Sequence, residues 1–270
     1  MRRQRWKRRG NASSEMASYF DSIPHEPLMD QIGEHISDGK VLALIKSFLK
    51  QDVLSGLDCW TPVRGSPQGA VLSPLLATLY LHGLDRAMST WGYRMVRYAD
   101  DFVILCATRE QAQEALLRVR GWVGASGLDL HPEKTQVGDW RKEGQGFEFL
   151  GYRFEAGRRR VRKKSLMAFK DKIRKKTGRS RGHSLGFIIE DLNRTLCGWF
   201  AYFKHTQGGE LKRIDGFIRR RLRSILRRHK KMTGRLGKSL ADHCRWPNAF
   251  FADHGLFSLQ SARILASQSR

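Results

Sequence analysis

The chain has 270 residues and a formal net charge of +24, with 50 lysines and arginines against 26 acidic residues. This length leaves room for more than one domain, and such a charge is unusual for a soluble enzyme acting on small molecules, so we expect a polyanionic partner. The charge lies in the second half, because residues 141–270 contain 33 basic and 10 acidic side chains, whereas residues 1–140 contain 17 and 16.

Cysteine spacing and hydropathy limit the cellular setting. The four cysteines include no Cys-x-x-Cys pair, which argues against a disulfide framework and a cysteine-rich zinc site and favours a reducing compartment. No apolar segment follows the basic start, so no secretion signal is predicted. The most apolar run, from Ala70 to Leu84, is interrupted by Pro74 and is too short to span a bilayer. We expect a cytoplasmic protein without a membrane span.

The first elements are predicted from hydrophobic spacing. Residues Tyr19 and Phe20 have the pattern of a strand end that runs into a turn. From Pro27 to Lys50 the apolar residues recur at largely helical spacing. This spacing predicts two core-facing helices that are divided near Asp38.

The segment from Thr61 to Pro74 is rich in Gly and Pro, which predicts a loop before an apolar helix that runs to about Ala87. Gly65 and Gly69 would let another backbone or a nucleotide approach closely, with Gln68 presented between them. An ordinary strand-to-helix loop explains the same composition, so both interpretations stay open.

Two β-prone runs, Arg94 to Tyr98 and Phe102 to Cys106, meet at Asp100 and Asp101. This pattern predicts a hairpin with two carboxylates at its tip. Aspartate is common in turns, so the pair need have no chemical role. Alternatively the two carboxylates hold a divalent metal, because Mg²⁺ takes oxygen ligands and is usually bound through one or two carboxylates plus substrate phosphates.

After the hairpin, a helix with one apolar stripe is predicted from Arg109 to about Gly124. Residues 127–135 predict a short strand and a turn, and residues 147–154 predict a pair of strands. Strands and helices are interleaved without strict βαβ order. The predicted fold class of this part is therefore α+β.

From Gly157 the composition becomes basic, and three helices are predicted near residues 169–176, 185–205 and 214–231. One face of this small bundle is nearly all Arg and Lys without interspersed acids, which favours phosphate binding over a merely solvated surface. The predicted phosphate-contacting residues are Arg158, Arg159, Arg160, Lys163, Lys164, Arg219, Arg220, Arg223, Arg227 and Arg228.

Five motifs follow one another in the order and at the distances of the palm motifs of reverse transcriptases. They are Tyr19-Phe-Asp-Ser-Ile-Pro-His25, Arg64-Gly-Ser-Pro-Gln-Gly-Ala-Val-Leu-Ser-Pro74, Tyr98-Ala-Asp-Asp101, Leu130-His-Pro-Glu-Lys-Thr135 and Phe149-Leu-Gly151. Residues 193–203 and 214–223 resemble the maturase (X) domain of group II intron-encoded proteins. The segment 246–257 is similar to the end of bacterial members that lack a DNA endonuclease. The chain thus resembles a group II intron-encoded reverse transcriptase/maturase.

The resemblance implies an antiparallel polymerase palm with packed helices, followed by an α-helical thumb/maturase (X) domain. The expected segments are a basic leader (1–14), the palm (15–156), the thumb/maturase domain (157–240) and a C-terminal tail (241–270). The implied activity is RNA-directed DNA synthesis in intron mobility with two Mg²⁺ ions, together with a maturase role in splicing. The implied partners are group II intron RNA, bound by the basic residues above, a DNA primer or target, and dNTPs.

The resemblance also assigns roles to individual residues. The implied catalytic and metal-binding residues are Asp100, Asp101 and Glu15; the nucleotide-binding residues are Phe20, Gln68 and Lys134; the primer grip is Leu150 and Gly151.

Two positions depart from the family pattern. Glu15 stands where the family has Asp, and one extra methylene moves a carboxylate by more than about 1 Å. Only Met1 to Ser14 precede it, whereas the family has an extended fingers region. These departures leave open a non-polymerising RNA-binding maturase, an inactive truncated copy, or one of two pieces completed by a separately encoded fingers fragment.

Overall fold

The chain divides into two units, unit 1 (Met1–Phe149) and unit 2 (Leu150–Arg270). The computed structural model describes residues 10–16, 19–55, 58–66, 70–178, 182–232 and 240–268. Unit 1 contains both helices and strands, whereas unit 2 is mostly helical. No helix in the described part of the chain is both long and apolar enough to cross a bilayer.

The elements are numbered in chain order. The strands are β1 (Gly10–Glu15), β2 (Val53–Ser55), β3 (Asp58–Trp60), β4 (Arg94–Tyr98), β5 (Asp101–Cys106), β6 (Gln136–Gly138), β7 (Phe147–Phe149), β8 (Tyr152–Glu155) and β9 (Arg158–Val161). The helices are α1 (Tyr19–Ser22), α2 (His25–Gly33), α3 (Gly39–Leu49), α4 (Ser73–Tyr80), α5 (His82–Thr90), α6 (Arg109–Ala125), α7 (Lys163–Lys176), α8 (Leu185–Phe203), α9 (Gly208–His229), α10 (Leu240–Arg245), α11 (Asn248–Asp253) and α12 (Leu259–Gln268).

The main sheet of unit 1 has the strand order β4-β5-β1-β6, with antiparallel pairing throughout. Strand β1 is therefore an inner strand, paired with β5 on one side and β6 on the other. The sequence analysis placed residues 10–14 of this strand in the leader. Its sequence, Gly-Asn-Ala-Ser-Ser-Glu, has no alternating apolar residues, so its pairing in the middle of the sheet could not be anticipated from periodicity.

The predicted strand end at Tyr19 and Phe20 is wrong, because these residues form the short helix α1. The extended chain ends at Met16, which makes an isolated antiparallel bridge to Leu130. The Tyr19 ring is buried, and its hydroxyl donates to the main-chain carbonyl of Ala77 in α4. This tertiary contact outweighs the β propensity of the aromatic pair.

The division of the first helical region near Asp38 is confirmed. Asp38 is the N-cap of α3, and its carboxylate accepts from the backbone N–H groups of Lys40 at 2.8 Å and Val41 at 3.3 Å. The expectation that the apolar residues of both helices face the core holds for α2 and for Leu42, Ile45 and Leu49 of α3, but it is wrong for the exposed side of α3. Leu44 is 54% exposed and Phe48 is 43% exposed.

Helix α6 confirms the stripe predicted after the hairpin, and it covers the main sheet on the buried side. The buried residues of this helix are Ala112, Ala115, Leu116, Val119 and Val123. They share one core with β5, α2, α4 and α5. Burial of β5 is nearly complete after its first residue, which gives the carboxylate pair at its start a rigid support.

Unit 2 begins with the antiparallel hairpin β8–β9 and continues as a helical bundle. Its core is formed mainly by the apolar sides of α7, α8 and α9, with Trp246, Phe251 and Leu259 added from the C-terminal segment. Phe187 of α8 lies outside this core, since it is 54% exposed. Helix α9 begins earlier than predicted, at Gly208.

Candidate active site

The acidic hairpin is confirmed. Tyr98 pairs with Asp101 across the β4–β5 ladder, which leaves Ala99 and Asp100 as the two turn residues. The turn has a positive φ of 54° at Ala99, its first central position, and none at Asp100, the pattern of a type II′ turn. Asp100 and Asp101 are both half-buried, so two consecutive carboxylates lie at the end of a well-packed strand.

The backbone of Glu15 lies beside this pair. Glu15 and Asp101 are direct backbone partners in the β1–β5 ladder. The side chain of Glu15 lies outside what the structure describes. Among the described residues there is no group of three or more His, Cys, Asp or Glu side chains that could hold a metal ion. The described donor set is therefore two carboxylates, with a third acidic position paired to them through the backbone.

This donor set fits a hard divalent cation in its chemistry. Carboxylate oxygens are the ligands that Mg²⁺ takes, and a site with one or two protein carboxylates leaves positions for water or substrate phosphates. No imidazole or thiolate completes a softer site among the described residues.

Arg97 joins the acidic turn to helix α5. Its Nε and Nη2 atoms bind both carboxylate oxygens of Asp85, with Nε 2.9 Å from Oδ1, and its Nη1 donates to the Ala99 carbonyl at 2.9 Å. The side chain of Arg97 is 9% exposed and that of Asp85 is 34% exposed. One guanidinium thus connects a helix with the turn that contains Asp100.

Tyr19 lies in the same environment. Burial raises the pKa of the Tyr19 hydroxyl well above its ordinary value; the positive charge of Arg97 opposes this shift, and the negative charge of Asp100 adds to it. The phenol therefore stays protonated at physiological pH and acts as a hydrogen-bond donor to α4.

The loop after β3 is bound to the segment around α1. The Ser66 N–H donates to the Phe20 carbonyl at 2.7 Å, the Gly65 N–H donates to the Ile23 carbonyl at 2.8 Å, and the His25 ring donates to the Gly65 carbonyl at 2.7 Å. Gly65 has a φ of 84°, and a Cβ at this position would lie 2.7 Å from backbone atoms of Asp21 in α1. The sequence left open whether a nucleotide or another backbone segment approaches Gly65. In the structure it is the backbone of Asp21 that lies close to this glycine.

The residues assigned to nucleotide binding differ in their exposure to solvent. Phe20 is half-buried, with its ring centroid 5.7 Å from that of Tyr19. Lys134 is exposed at the end of a short 3₁₀ helix, Pro132–Lys134. Gln68 lies outside the described residues, together with its neighbour Gly69. The contacts of Ser66 and Gly65 bring the loop that leads to Gln68 next to the Phe20 segment.

The turn at Leu150 and Gly151 is held by α8 within unit 2. Both residues have positive φ, 48° and 75°. The Tyr202 hydroxyl donates to the Leu150 carbonyl at 2.9 Å, and the Arg162 N–H donates to the Gly151 carbonyl at 2.8 Å. A Cβ on Gly151 would come within 3.3 Å of the Phe203 ring. The turn is thus a fixed structure, with an energetically unfavourable conformation at a non-glycine residue.

Comparison with protein families decides the identity of the chain. Residues 3–154, more than half of the sequence, match the reverse transcriptase (RNA-dependent DNA polymerase) family. Residues 166–242 match the group II intron maturase-specific domain. The chain belongs to the group II intron reverse transcriptase/maturase family. The α+β region followed by a helical maturase domain is the fold expected from the resemblance, and that expectation is confirmed.

Similar proteins agree with this assignment. Protein YkfC of Escherichia coli is 29% identical over 56% of this chain and 47% of that protein. The group II intron-encoded protein LtrA of Lactococcus lactis is 45% identical over 25% of this chain and 11% of that protein. The alignment with the solved structure of apo telomerase from Candida tropicalis covers 83% of this chain and 42% of the telomerase chain, with a TM-score of 0.54 and 11% identity. This similarity supports the fold alone. The chain spans less than half the length of these curated relatives.

Most of the basic residues predicted for this reverse transcriptase/maturase lie on the surface. Arg219 is half-buried, and the exposed members of the predicted set are Arg158, Arg159, Arg160, Lys163, Lys164, Arg220 and Arg228. A cluster missed by the sequence analysis surrounds the Phe217 ring: Lys170 Nζ, Arg174 Cζ and Arg220 Cζ lie 5.9, 5.6 and 5.7 Å from the ring centroid. Cations on α7 therefore belong to the same surface as those on α9.

The prediction of phosphate binding is wrong for two residues, Arg223 and Arg227. Arg223 is 2% exposed and donates from Nε to the Trp246 carbonyl at 2.9 Å and from Nη2 to Asn248 Oδ1 at 3.0 Å. Arg227 is 7% exposed and binds Asp242 through Nη1 at 2.7 Å. Burial lowers the pKa of Arg223 from its ordinary value. Both guanidinium groups face inward because the segment after α9 folds back over them, and charge counting along a helix cannot detect this.

Proposed function

We propose that this chain is the RNA-directed DNA polymerase and RNA-binding maturase part of a group II intron-encoded protein. The observation that carries the proposal is the hairpin with Asp100 and Asp101 at its tip, beside the inner strand that contains Glu15 as the direct partner of Asp101. The match to the reverse transcriptase family supports it.

In this proposal Asp100, Asp101 and Glu15 hold two Mg²⁺ ions. When bound, these ions supply activation of the attacking primer hydroxyl and stabilisation of the leaving pyrophosphate. The protein's own contribution is positioning. The buried strand β5 supports the hairpin carboxylates, the Gly65–Ser66 contacts hold the Phe20 segment, and the Leu150–Gly151 turn is the proposed support for the primer end.

Intron RNA is the proposed partner of unit 2. The match to the maturase-specific domain supports this, together with the exposed Arg and Lys residues of β9, α7 and α9. Phosphate contacts of this kind give affinity that falls steeply with salt and depends little on base sequence. RNA shape, rather than base reading, would then select the parent intron.

A second candidate function is RNA binding and splicing without polymerisation. The observation that favours it is Glu15, which stands where the reverse transcriptase family has Asp. In this case unit 2 provides the activity, and the hairpin acids are only part of the fold.

One experiment separates the two candidates. Primer extension on an RNA template and filter binding to the parent intron RNA are measured on the same preparations of the parent chain, Asp100→Asn, Asp101→Asn and a control, Glu114→Gln. Glu114 is an exposed acid on α6, so its substitution changes the charge equally without touching the hairpin.

The polymerase proposal expects each hairpin substitution to lower extension at least ~100-fold, the scale on which misplaced reacting groups act, while RNA affinity stays unchanged. Extension near the parental rate in both variants would refute the metal-binding role. RNA binding without extension in every preparation, the parent included, would favour the maturase-only function. Loss of RNA binding in the parent chain would refute both.

A further inference from the structure

The Arg97 side chain is tightly bound to its surroundings. All three of its donor nitrogens are engaged, two with Asp85 and one with the Ala99 carbonyl, and the side chain is nearly buried. A bidentate arginine–carboxylate pair has a fixed planar geometry that a lysine cannot reproduce. The third bond is directed at the turn, one residue before Asp100.

The turn that receives this bond is an unfavourable one for its sequence. The first central position of a type II′ turn normally takes Gly, whereas here it is Ala99 with a φ of 54°. A non-glycine residue in this region persists only where the surroundings determine its conformation. The bond from Arg97 Nη1 to the Ala99 carbonyl, at 2.9 Å, is a side-chain contact that does so.

We propose that Arg97 is a positioning residue for metal binding, which holds the Ala99–Asp100 turn so that the Asp100 and Asp101 carboxylates are aligned before a divalent cation binds. Asp85 serves by orienting the Arg97 guanidinium. This inference rests on the proposed function, since it takes the hairpin acids to be the metal ligands. Groups of this kind, one step removed from the ligands, alter metal affinity about 10-fold to 100-fold.

An electrostatic argument makes the opposite prediction. Arg97 has a positive charge close to Asp100, because its Nη1 donates to the carbonyl of Ala99, the preceding residue. If that charge were the whole effect, its removal would strengthen the binding of a cation. The positioning role predicts that removal weakens binding. The sign of the change therefore separates the two explanations.

The test measures Mn²⁺ binding to the full chain, with the free ion detected by electron paramagnetic resonance. This measurement requires no polymerase activity. The variants are Arg97→Gln, Arg97→Lys and Asp85→Asn. The matched control is Arg94→Gln, because Arg94 is an exposed arginine on the same strand and its loss changes the net charge equally. Asp100→Asn with Asp101→Asn defines the binding that depends on the hairpin acids.

We expect Arg97→Gln and Arg97→Lys to weaken the acid-dependent Mn²⁺ binding about 10-fold to 100-fold, and Arg94→Gln to change it less than about 2-fold. Ala99→Gly in the Arg97→Gln background should recover part of the affinity, because Gly adopts a positive φ without steric cost. Should the Arg97 variants not fold, Asp85→Asn decides the question, since Asp85 is one-third exposed and we expect its substitution to be tolerated.

Three outcomes would overturn the inference: unchanged or tighter binding in the Arg97 variants, an equal loss in Arg94→Gln, or no recovery with Ala99→Gly. Each of these leaves the proposed metal site intact, provided that the parent chain binds Mn²⁺ through the hairpin acids. A parent chain without acid-dependent binding would instead refute the metal site and this inference together.

Discussion

The adjacent arginines Arg227 and Arg228 have opposite fates in the fold, and this provides the sharpest test of the structure. Arg227 binds Asp242 through Nη1 at 2.7 Å, with side-chain exposures of 8% and 1%. Arg228 is exposed near the end of the same helix. We expect Arg227→Ala to destabilise unit 2 without removing an RNA contact, and Arg228→Ala to do the reverse.

The magnitudes follow from the burial of the pair. Removal of one partner of a buried ion pair leaves the other charge uncompensated and costs about 3–5 kcal/mol. For a unit of this size, that corresponds to a fall in melting temperature of roughly 10–20 °C. A substitution at an exposed position is usually within about 0.5 kcal/mol of neutral. If Arg228 contacts a phosphate, its removal lowers the slope of log K against log salt by about 0.7–0.9.

The assay combines urea unfolding with RNA filter binding at several salt concentrations, with affinities taken below the unfolding transition. A double variant, Arg227→Met with Asp242→Leu, serves as the control for charge burial, because apolar replacement of both partners is often neutral or stabilising. We expect it to recover most of the lost stability. Equal stability of Arg227→Ala and Arg228→Ala would contradict the buried Arg227–Asp242 pair. A reduced salt slope in the folded double variant would show that Arg227 contacts the RNA.

Three further predictions concern the proposed site. Gly65→Ala should destabilise unit 1 by at least about 1–3 kcal/mol, because it combines a positive φ with a Cβ 2.7 Å from the α1 backbone; Gly121→Ala, in open space on α6, should be neutral or stabilising in the same thermal unfolding assay. Tyr202→Phe should cost about 0.5–1.5 kcal/mol and speed hydrogen exchange near Leu150, and unchanged exchange there would mean that the phenol does not hold the turn. Glu15→Asp should raise primer extension at constant RNA affinity, and equal extension would identify Glu15 as a tolerated ligand.

The sequence determined those parts of the fold that depend on local periodicity and turn chemistry. The stripe of α6 follows from apolar residues at helical spacing, and the division before α3 follows from an aspartate that caps the helix. The hairpin follows from two β-prone runs around an acidic pair. In these cases the residue pattern and the resulting structure lie within a few positions of each other.

Only the tertiary structure decided three other features. Strand β1 has no apolar alternation, and its place in the sheet depends on strands β5 and β6, which lie about 90 and 125 residues further along the chain. The burial of Arg227 and the role of Arg97 depend on partners in other elements, Asp242 and Asp85. The sequence of a helix or strand is the same whether water or a carboxylate contacts its charged side chain. The sequence therefore predicts that the charge is present but not which group it contacts.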